Sequence, residues 1–152
     1  MDVRERAAFY INIKPRTRMQ VIKYLRDKGF EENEIMETVK ELEQYHYIDD
    51  LQYSQLYFEM CFDKGRGISR IRRELRDKGV SGEIIDEAFA NLEEIPDQEE
   101  MALQIGRTVV EGIDTEDLSW PEKQKLQAKI ARKLASRGYS QDVVYKVIHK
   151  LI

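Results

Sequence analysis

An all-α fold is predicted by this sequence: three tandem three-helix repeats stacked into a curved, elongated solenoid, with the first repeat shortened at its N-terminal helix. Three observations predict it. A six-residue phrase, Leu25-Arg26-Asp27-Lys28-Gly29-Phe30, returns as Leu75-Arg76-Asp77-Lys78-Gly79-Val80 and more loosely as Leu134-Ala135-Ser136-Arg137-Gly138-Tyr139. Such recurrence marks a repeat architecture. The apolar residues flanking each phrase fall at helical spacing: Val21 and Leu25 before the first, then Ile35, Val39 and Leu42 after it. Their counterparts are Ile71, Ile85, Phe89 and Leu92, and then Ile130, Val144, Ile148 and Leu151. Steps of three and four put these residues on one stripe of a helix and do not suit a strand. Each phrase also ends as a helix ends, with a cation directly before a glycine that takes the left-handed conformation without a Cβ clash.

The elements follow in order. Repeat 1 (1–46) opens with a brief helix before Ile11-Asn12-Ile13-Lys14-Pro15. Thr17 caps the second helix, and Gln20 three residues on completes a capping box. Repeat 2 (47–95) starts with a helix capped by Asp49 or Asp50, carrying Leu51, Ser54, Gln55, Phe58 and Phe62 on one side. Gly65-Arg66-Gly67 ends it, and the next helix buries Ile68, Ile71 and Leu75. Repeat 3 (96–152) begins after Pro96 with a helix from near Gln98 to about Glu111. A loop follows over Gly112-Ile113-Asp114-Thr115, and then a helix capped by Ser119, with Glu122 at the capping-box position and Pro121 in the tolerated first turn. Gly29, Gly79, Gly138, Asp49 and Asp50 are thereby read as structural.

Composition narrows the function. The chain has 152 residues, of which 36% are charged. No run approaches the ~18 apolar residues of a membrane span. Met-Asp-Val-Arg-Glu-Arg at the start holds no apolar stretch like that of a secretory signal, so a cytoplasmic location is expected. Cys61 stands alone, which excludes a disulfide framework.

The net charge of −4 argues against a nucleic-acid binder until its distribution is read. Residues 1–30 hold eight cations and three anions, residues 64–78 seven and two, and residues 123–150 eight and one. Between them, residues 31–59 hold nine anions and one lysine, and residues 83–122 thirteen anions and one arginine. The basic blocks coincide with the second helix of each repeat. One such helix suits an ordinary solvated face with opposite-charge pairing. Recurrence in all three copies points to a basic stripe suited to a phosphate- or carboxylate-rich partner. Arg66, Arg70 and Arg73 share a helix face, and Arg72 and Arg76 make a neighbouring row. With Lys78 they form the leading contact surface. Lys14, Arg16 and Arg18 in repeat 1, and Lys129, Arg132 and Lys133 in repeat 3, extend it.

Nothing in the chain assembles a reaction. Neither His46 nor His149 has a Cys, a second His or a helix-spaced carboxylate arrangement typical of a metal site, so neither a catalytic nor a metal site is expected, and no cofactor. His46 at a helix end is expected to pack or cap. Gly65-Arg66-Gly67 lacks the further glycine and the preceding strand of a phosphate loop. Adjacent Asp49 and Asp50 point apart, which suits capping and not acid–base work. Cys61 reads as core, and so do most of the eight tyrosines, with Tyr53 and Tyr57 as candidate exceptions.

Taken together, Tyr47-Ile48-Asp49-Asp50, Tyr53, Tyr57, Lys64-Gly65-Arg66-Gly67 and the run Ile68 to Val80 resemble the central motif of RecX regulatory proteins. Lys14-Pro15-Arg16-Thr17-Arg18 with Leu25 and Gly29-Phe30 also fits. The resemblance spans nearly the whole chain. It is strongest over 47–92 and weaker in repeat 3, where Ser136-Arg137-Gly138-Tyr139 replaces the Asp-Lys-Gly pattern. It implies a non-enzymatic bacterial protein that binds the RecA nucleoprotein filament and modulates it, usually by inhibition, in homologous recombination, DNA repair and the SOS response. Contact with single- or double-stranded DNA is the alternative. No membrane contact is expected, and the chain is expected to be a monomer.

Overall fold

The computed structural model describes residues 1–152. It contains nine α-helices and no strand: α1 (Val3–Ile13), α2 (Arg18–Asp27), α3 (Glu32–Gln44), α4 (Asp50–Asp63), α5 (Ile68–Asp77), α6 (Gly82–Ala90), α7 (Gln98–Val110), α8 (Trp120–Arg137) and α9 (Gln141–Leu151). One 3-10 turn, Thr115–Asp117, precedes α8. The nine helices are the three three-helix repeats the sequence predicts. No helix is long and apolar enough to cross a membrane.

Short-range chemistry sets the helix ends. Thr17 and Gln20 form a reciprocal capping box at α2, as do Ser119 and Glu122 at α8, where Pro121 occupies the first turn. At α4 the two aspartates divide the work. Asp49 Oδ1 accepts the Gln52 N–H (3.1 Å) and is the local cap. Asp50 Oδ1 instead accepts the Arg18 N–H (2.8 Å), one of the orphan donors at the start of α2. Burial raises the Asp50 pKa above the ordinary carboxylate value, and the Arg18 hydrogen bond offsets part of that rise.

Cα packing divides the chain into two compact units: residues 1–57 with 74–92, and residues 58–73 with 93–152. In the first unit, Ala7, Val21, Ile22, Leu25, Ile35, Val39 and Ile48 form a buried cluster. In the second, Ala102, Leu103, Leu126, Ile130, Leu134, Tyr139, Val144 and Val147 do the same. Most of the repeated stripe positions are therefore buried, while Leu42, Phe89, Leu92, Ile148 and Leu151 at the stripe ends are half-buried. Val21, Ile71 and Ile130 are fully covered, as are Leu25, Leu75 and Leu134.

Two of the three repeated glycines also carry a backbone joint. In the first unit, Gly79 (φ +88°) lies so close to α2 that a Cβ there would sit 2.3 Å from Met19 Cβ. Beside it, the Thr17 hydroxyl donates to the Lys78 carbonyl at 2.7 Å. In the second unit, a Cβ on Gly138 (φ +97°) would sit 2.2 Å from Arg70 Cβ. There the Gly67 N–H donates to the Arg137 carbonyl (2.7 Å) and the Tyr139 hydroxyl to the Gly65 carbonyl (2.8 Å). Each joint sets the N-terminal turn of one repeat's second helix against the C-terminal glycine turn of the next repeat's second helix. Gly29 has the same conformation (φ +88°) but nothing within 4 Å of its would-be Cβ.

Two sequence expectations need correction. Of the eight tyrosines only Tyr139 is buried, while Tyr45, Tyr47 and Tyr145 are exposed. Tyr45 and Tyr47 flank His46, which takes a left-handed φ of 59° in the α3–α4 turn, and nothing packs over either ring enough to bury it. His46 itself neither packs nor caps a helix. Its side chain is exposed, with Nδ1 3.5 Å from Asp49 Oδ2.

Candidate partner-binding surface

The basic residues singled out by the sequence outside repeat 1 lie on or beside α5, whose residues up to Arg73 belong to the second unit and from Glu74 on to the first, and on α8 of the second unit. On α5 and the turn before it, Arg66, Arg70 and Arg73 follow one face at steps of four and three, with Ile71 buried opposite. The local fold engages part of this row. Arg66 Nη1 lies 3.3 Å from Cys61 Sγ. Arg70 presses its stem on Gly138 and reaches the Ser136 carbonyl at 3.4 Å. Arg72 is half-buried, whereas Arg73 and Arg76 project into solvent.

Helix α8 is the less encumbered basic face. From Lys123 to Arg137 it has six cations and no carboxylate. Lys125, Lys129 and Arg132 are exposed and step by four and three along one side, while Leu126, Ile130 and Leu134 anchor the other in the core. None of the three takes part in an ion pair. Along the helix they are about 6 Å and about 4.5 Å apart. Lys133, one residue from the stripe, is half-buried. Glu122 lies near Lys125 at one end of the row and leaves Lys129 and Arg132 open. A cation row of this kind attracts phosphates or carboxylates and has no chemistry of its own to perform.

The basic residues of the first unit are mostly spoken for. The Arg16 guanidinium lies 3.9 Å from the Tyr10 ring centroid, and its Nε donates to the Tyr10 carbonyl. Tyr10 in turn stacks on Tyr24 at 3.9 Å. Arg18 pairs with Glu43 at 3.0 Å. Lys78 Nζ sits 5.4 Å over the Tyr57 ring, and the Tyr57 hydroxyl donates to Glu74 at 3.2 Å. Lys14 is exposed and carries no ion pair. The structure thus brings Arg70 against the end of α8, turns Arg66 toward Cys61, and sets Lys14, Arg16 and Arg18 at the α1–α2 junction. Sequence reasoning passed over Lys125 and Arg137. The four-and-three spacing of Lys125, Lys129 and Arg132 was the signal available for the former. No group of three His, Cys, Asp or Glu side chains is arranged to hold a metal ion.

Comparison with known proteins agrees with this architecture. Residues 4–42 match the first three-helix domain of RecX, and residues 49–88 match its second three-helix domain. Regulatory protein RecX of Vibrio campbellii (strain ATCC BAA-1116) is 38% identical over 117 residues, covering 77% of this chain and 70% of that protein. Regulatory protein RecX of Clostridium botulinum (strain Eklund 17B / Type B) is 29% identical over 150 residues, covering 98% of this chain and 68% of that protein. Among solved structures, RecX from Lactobacillus salivarius superposes with a TM-score of 0.80 at 24% identity, covering 98% of this chain and 94% of that one, a likeness of fold. Two domain matches in the right order, together with a relative of this identity and coverage, establish that the chain belongs to the RecX family.

Proposed function

We propose that this chain is a non-enzymatic regulator of RecA that binds the RecA nucleoprotein filament and inhibits its ATPase, recombinase and strand-exchange activities. Membership of the RecX family supports a regulatory role. The observation that carries the surface assignment is α8, whose exposed row of Lys125, Lys129 and Arg132 forms no ion pair and has one carboxylate nearby, Glu122 beside Lys125. The mechanism is occupancy. A helical surface held across neighbouring filament subunits blocks the second DNA strand or the subunit motion that turnover requires. Arg73 and Arg76 on α5 add exposed cations to the same kind of contact.

The test is co-sedimentation with RecA filaments, compared with bare single-stranded DNA, and inhibition of DNA-dependent ATPase. Lys129→Glu/Arg132→Glu is the informative variant because neither side chain is part of a joint, whereas reversing Arg70 would disturb the packing at Gly138. The double variant is expected to retain its helical circular dichroism and lose inhibition. A folded double variant that inhibits like the parent protein overturns the assignment. Direct DNA binding is the second reading, favoured by the axial spacing of the α8 row. If it holds, bare DNA is bound, and the log–log salt slope falls by about two when two phosphate contacts are removed.

A further inference from the structure

The first unit contains a groove that the basic helices do not account for. It has a volume of about 560 Å³ and runs between the α1–α2 connection, the α3–α4 turn and the outer side of α4. Three large apolar side chains stand at its mouth and are mostly in water: Ile13 (61% exposed), Tyr47 (67%) and Leu56 (55%). Contiguous exposed apolar surface with a polar rim is characteristic of an interaction site.

The turn that carries Tyr47 is fixed. His46 is the one non-glycine residue with positive φ, a conformation that persists only where the surrounding structure holds it. The hold is visible. Tyr47 N–H and Ile48 N–H both donate to the Leu42 carbonyl, at 2.9 and 3.2 Å, and Ile48 is locked in the core. Tyr47 is therefore presented on a fixed turn, which limits the ordering cost of a contact made there.

Charge selects the occupant. The lining holds one carboxylate, Asp49, which accepts the Gln52 N–H, against two cations, Lys14 and Arg16, so its net charge is positive. Arg16 is held on Tyr10. Lys14 is exposed and carries no ion pair, so it is the cation open to a ligand at the mouth. A single free cation beside aliphatic walls offers a nucleic acid little, since polyanion affinity depends on several phosphate contacts. It matches one carboxylate next to one aliphatic side chain.

We propose that this groove is a docking site for a linear segment of a partner protein in which an aliphatic residue is flanked by carboxylates. The aliphatic side chain sits among Ile13, Tyr47 and Leu56, and a neighbouring carboxylate pairs with Lys14. This site is separate from the α8 row and stands whether or not that row engages a filament.

The probe is a short synthetic peptide of Asp, Glu and Leu, titrated into the ¹⁵N-labelled full chain and followed by amide chemical shifts. Saturable shifts are expected at Ile13, Lys14, Tyr47 and Leu56, with a Kd tighter than about 1 mM. Leu56→Asp and Lys14→Glu, both at exposed positions, are each expected to weaken binding about tenfold or more while the remaining spectrum stays in place. Replacing the peptide's acidic residues with Lys is expected to do the same. The proposal is overturned if the groove amides do not shift at about 1 mM peptide, or if the Lys peptide binds equally well. It is also overturned if an oligothymidylate, or raising the concentration of the protein alone, shifts these same amides in place of the peptide.

Discussion

Substituting alanine at Gly79 and at Gly29 separates backbone strain from the packing of a repeat joint. The two glycines have the same φ, +88°, and end equivalent helices of the first unit. An added Cβ meets open space at Gly29 but lies 2.3 Å from Met19 Cβ and 2.6 Å from Met19 Cγ at Gly79. Holding a non-glycine residue in the left-handed region costs ~1–2 kcal/mol, which both variants share. Overpacking against a fixed neighbour adds ~1–3 kcal/mol, which falls on Gly79→Ala alone. Gly29→Ala should therefore lose ~1–2 kcal/mol and Gly79→Ala about 2–5 kcal/mol in urea unfolding. For a chain of this length each kcal/mol corresponds to about 2–4 °C in Tm. The Met19→Gly background supplies the control, since it removes the atoms in the way at a helix-propensity cost of ~1 kcal/mol. In that background the loss from Gly79→Ala should shrink to that of Gly29→Ala, a favourable coupling of about 1–3 kcal/mol in a double-mutant cycle. Equal losses at the two glycines, or zero coupling to Met19, would refute the joint as a packing device.

Thr17 works at the same joint from the other side, its oxygen both donating to the Lys78 carbonyl and accepting the Gln20 N–H. Thr17→Val should cost about 1–2 kcal/mol in denaturant unfolding and Thr17→Ser much less; equal losses would show that the methyl group, and not the hydroxyl, matters. Asp50 gives a pH-dependent outcome. A carboxyl whose folded pKa is raised contributes stability that is fully present below its unfolded value near 4 and is lost as pH rises through the folded value. Asp50→Asn keeps an oxygen for the Arg18 N–H and removes the charge. Thermal melts should show the variant gaining on the parent from about pH 4 upward and levelling off once the pH has passed the folded value. An advantage that instead grows as pH falls would contradict the burial argument.

Much of the fold was legible in the residues because its signals are short-ranged. A capping box spans three residues, a stripe repeats every three or four, and a glycine stop needs only its own φ. Thr17, Ser119, Gly79 and Gly138 could be placed on those grounds alone. The tyrosines could not, because a position after a helix stop is buried only where another segment packs over it. Tyr47 and Tyr139 follow turns of the same kind, each after a residue of positive φ, yet Tyr139 is buried with its hydroxyl on Gly65 while Tyr47 is exposed. The basic residues were legible as a set but not individually. Which cations remain free depends on which ones the packing engages, and Arg70 proved part of a joint while Lys125 proved open.

The sequence by itself determined that the chain is helical, that it is three modules of three helices, and where most of those helices start and stop. These properties come from hydrogen bonds and side-chain neighbours within one or two turns. Only the tertiary structure decided what the repeated glycines do beyond ending helices. The Thr17–Lys78 contact joins residues 61 apart, and the Arg70–Ser136 contact residues 66 apart. Atoms so distant along the chain meet because burial of the shared stripes brings their backbones together, and no local pattern encodes the few ångströms that set Gly79 against Met19 and leave open space beside Gly29.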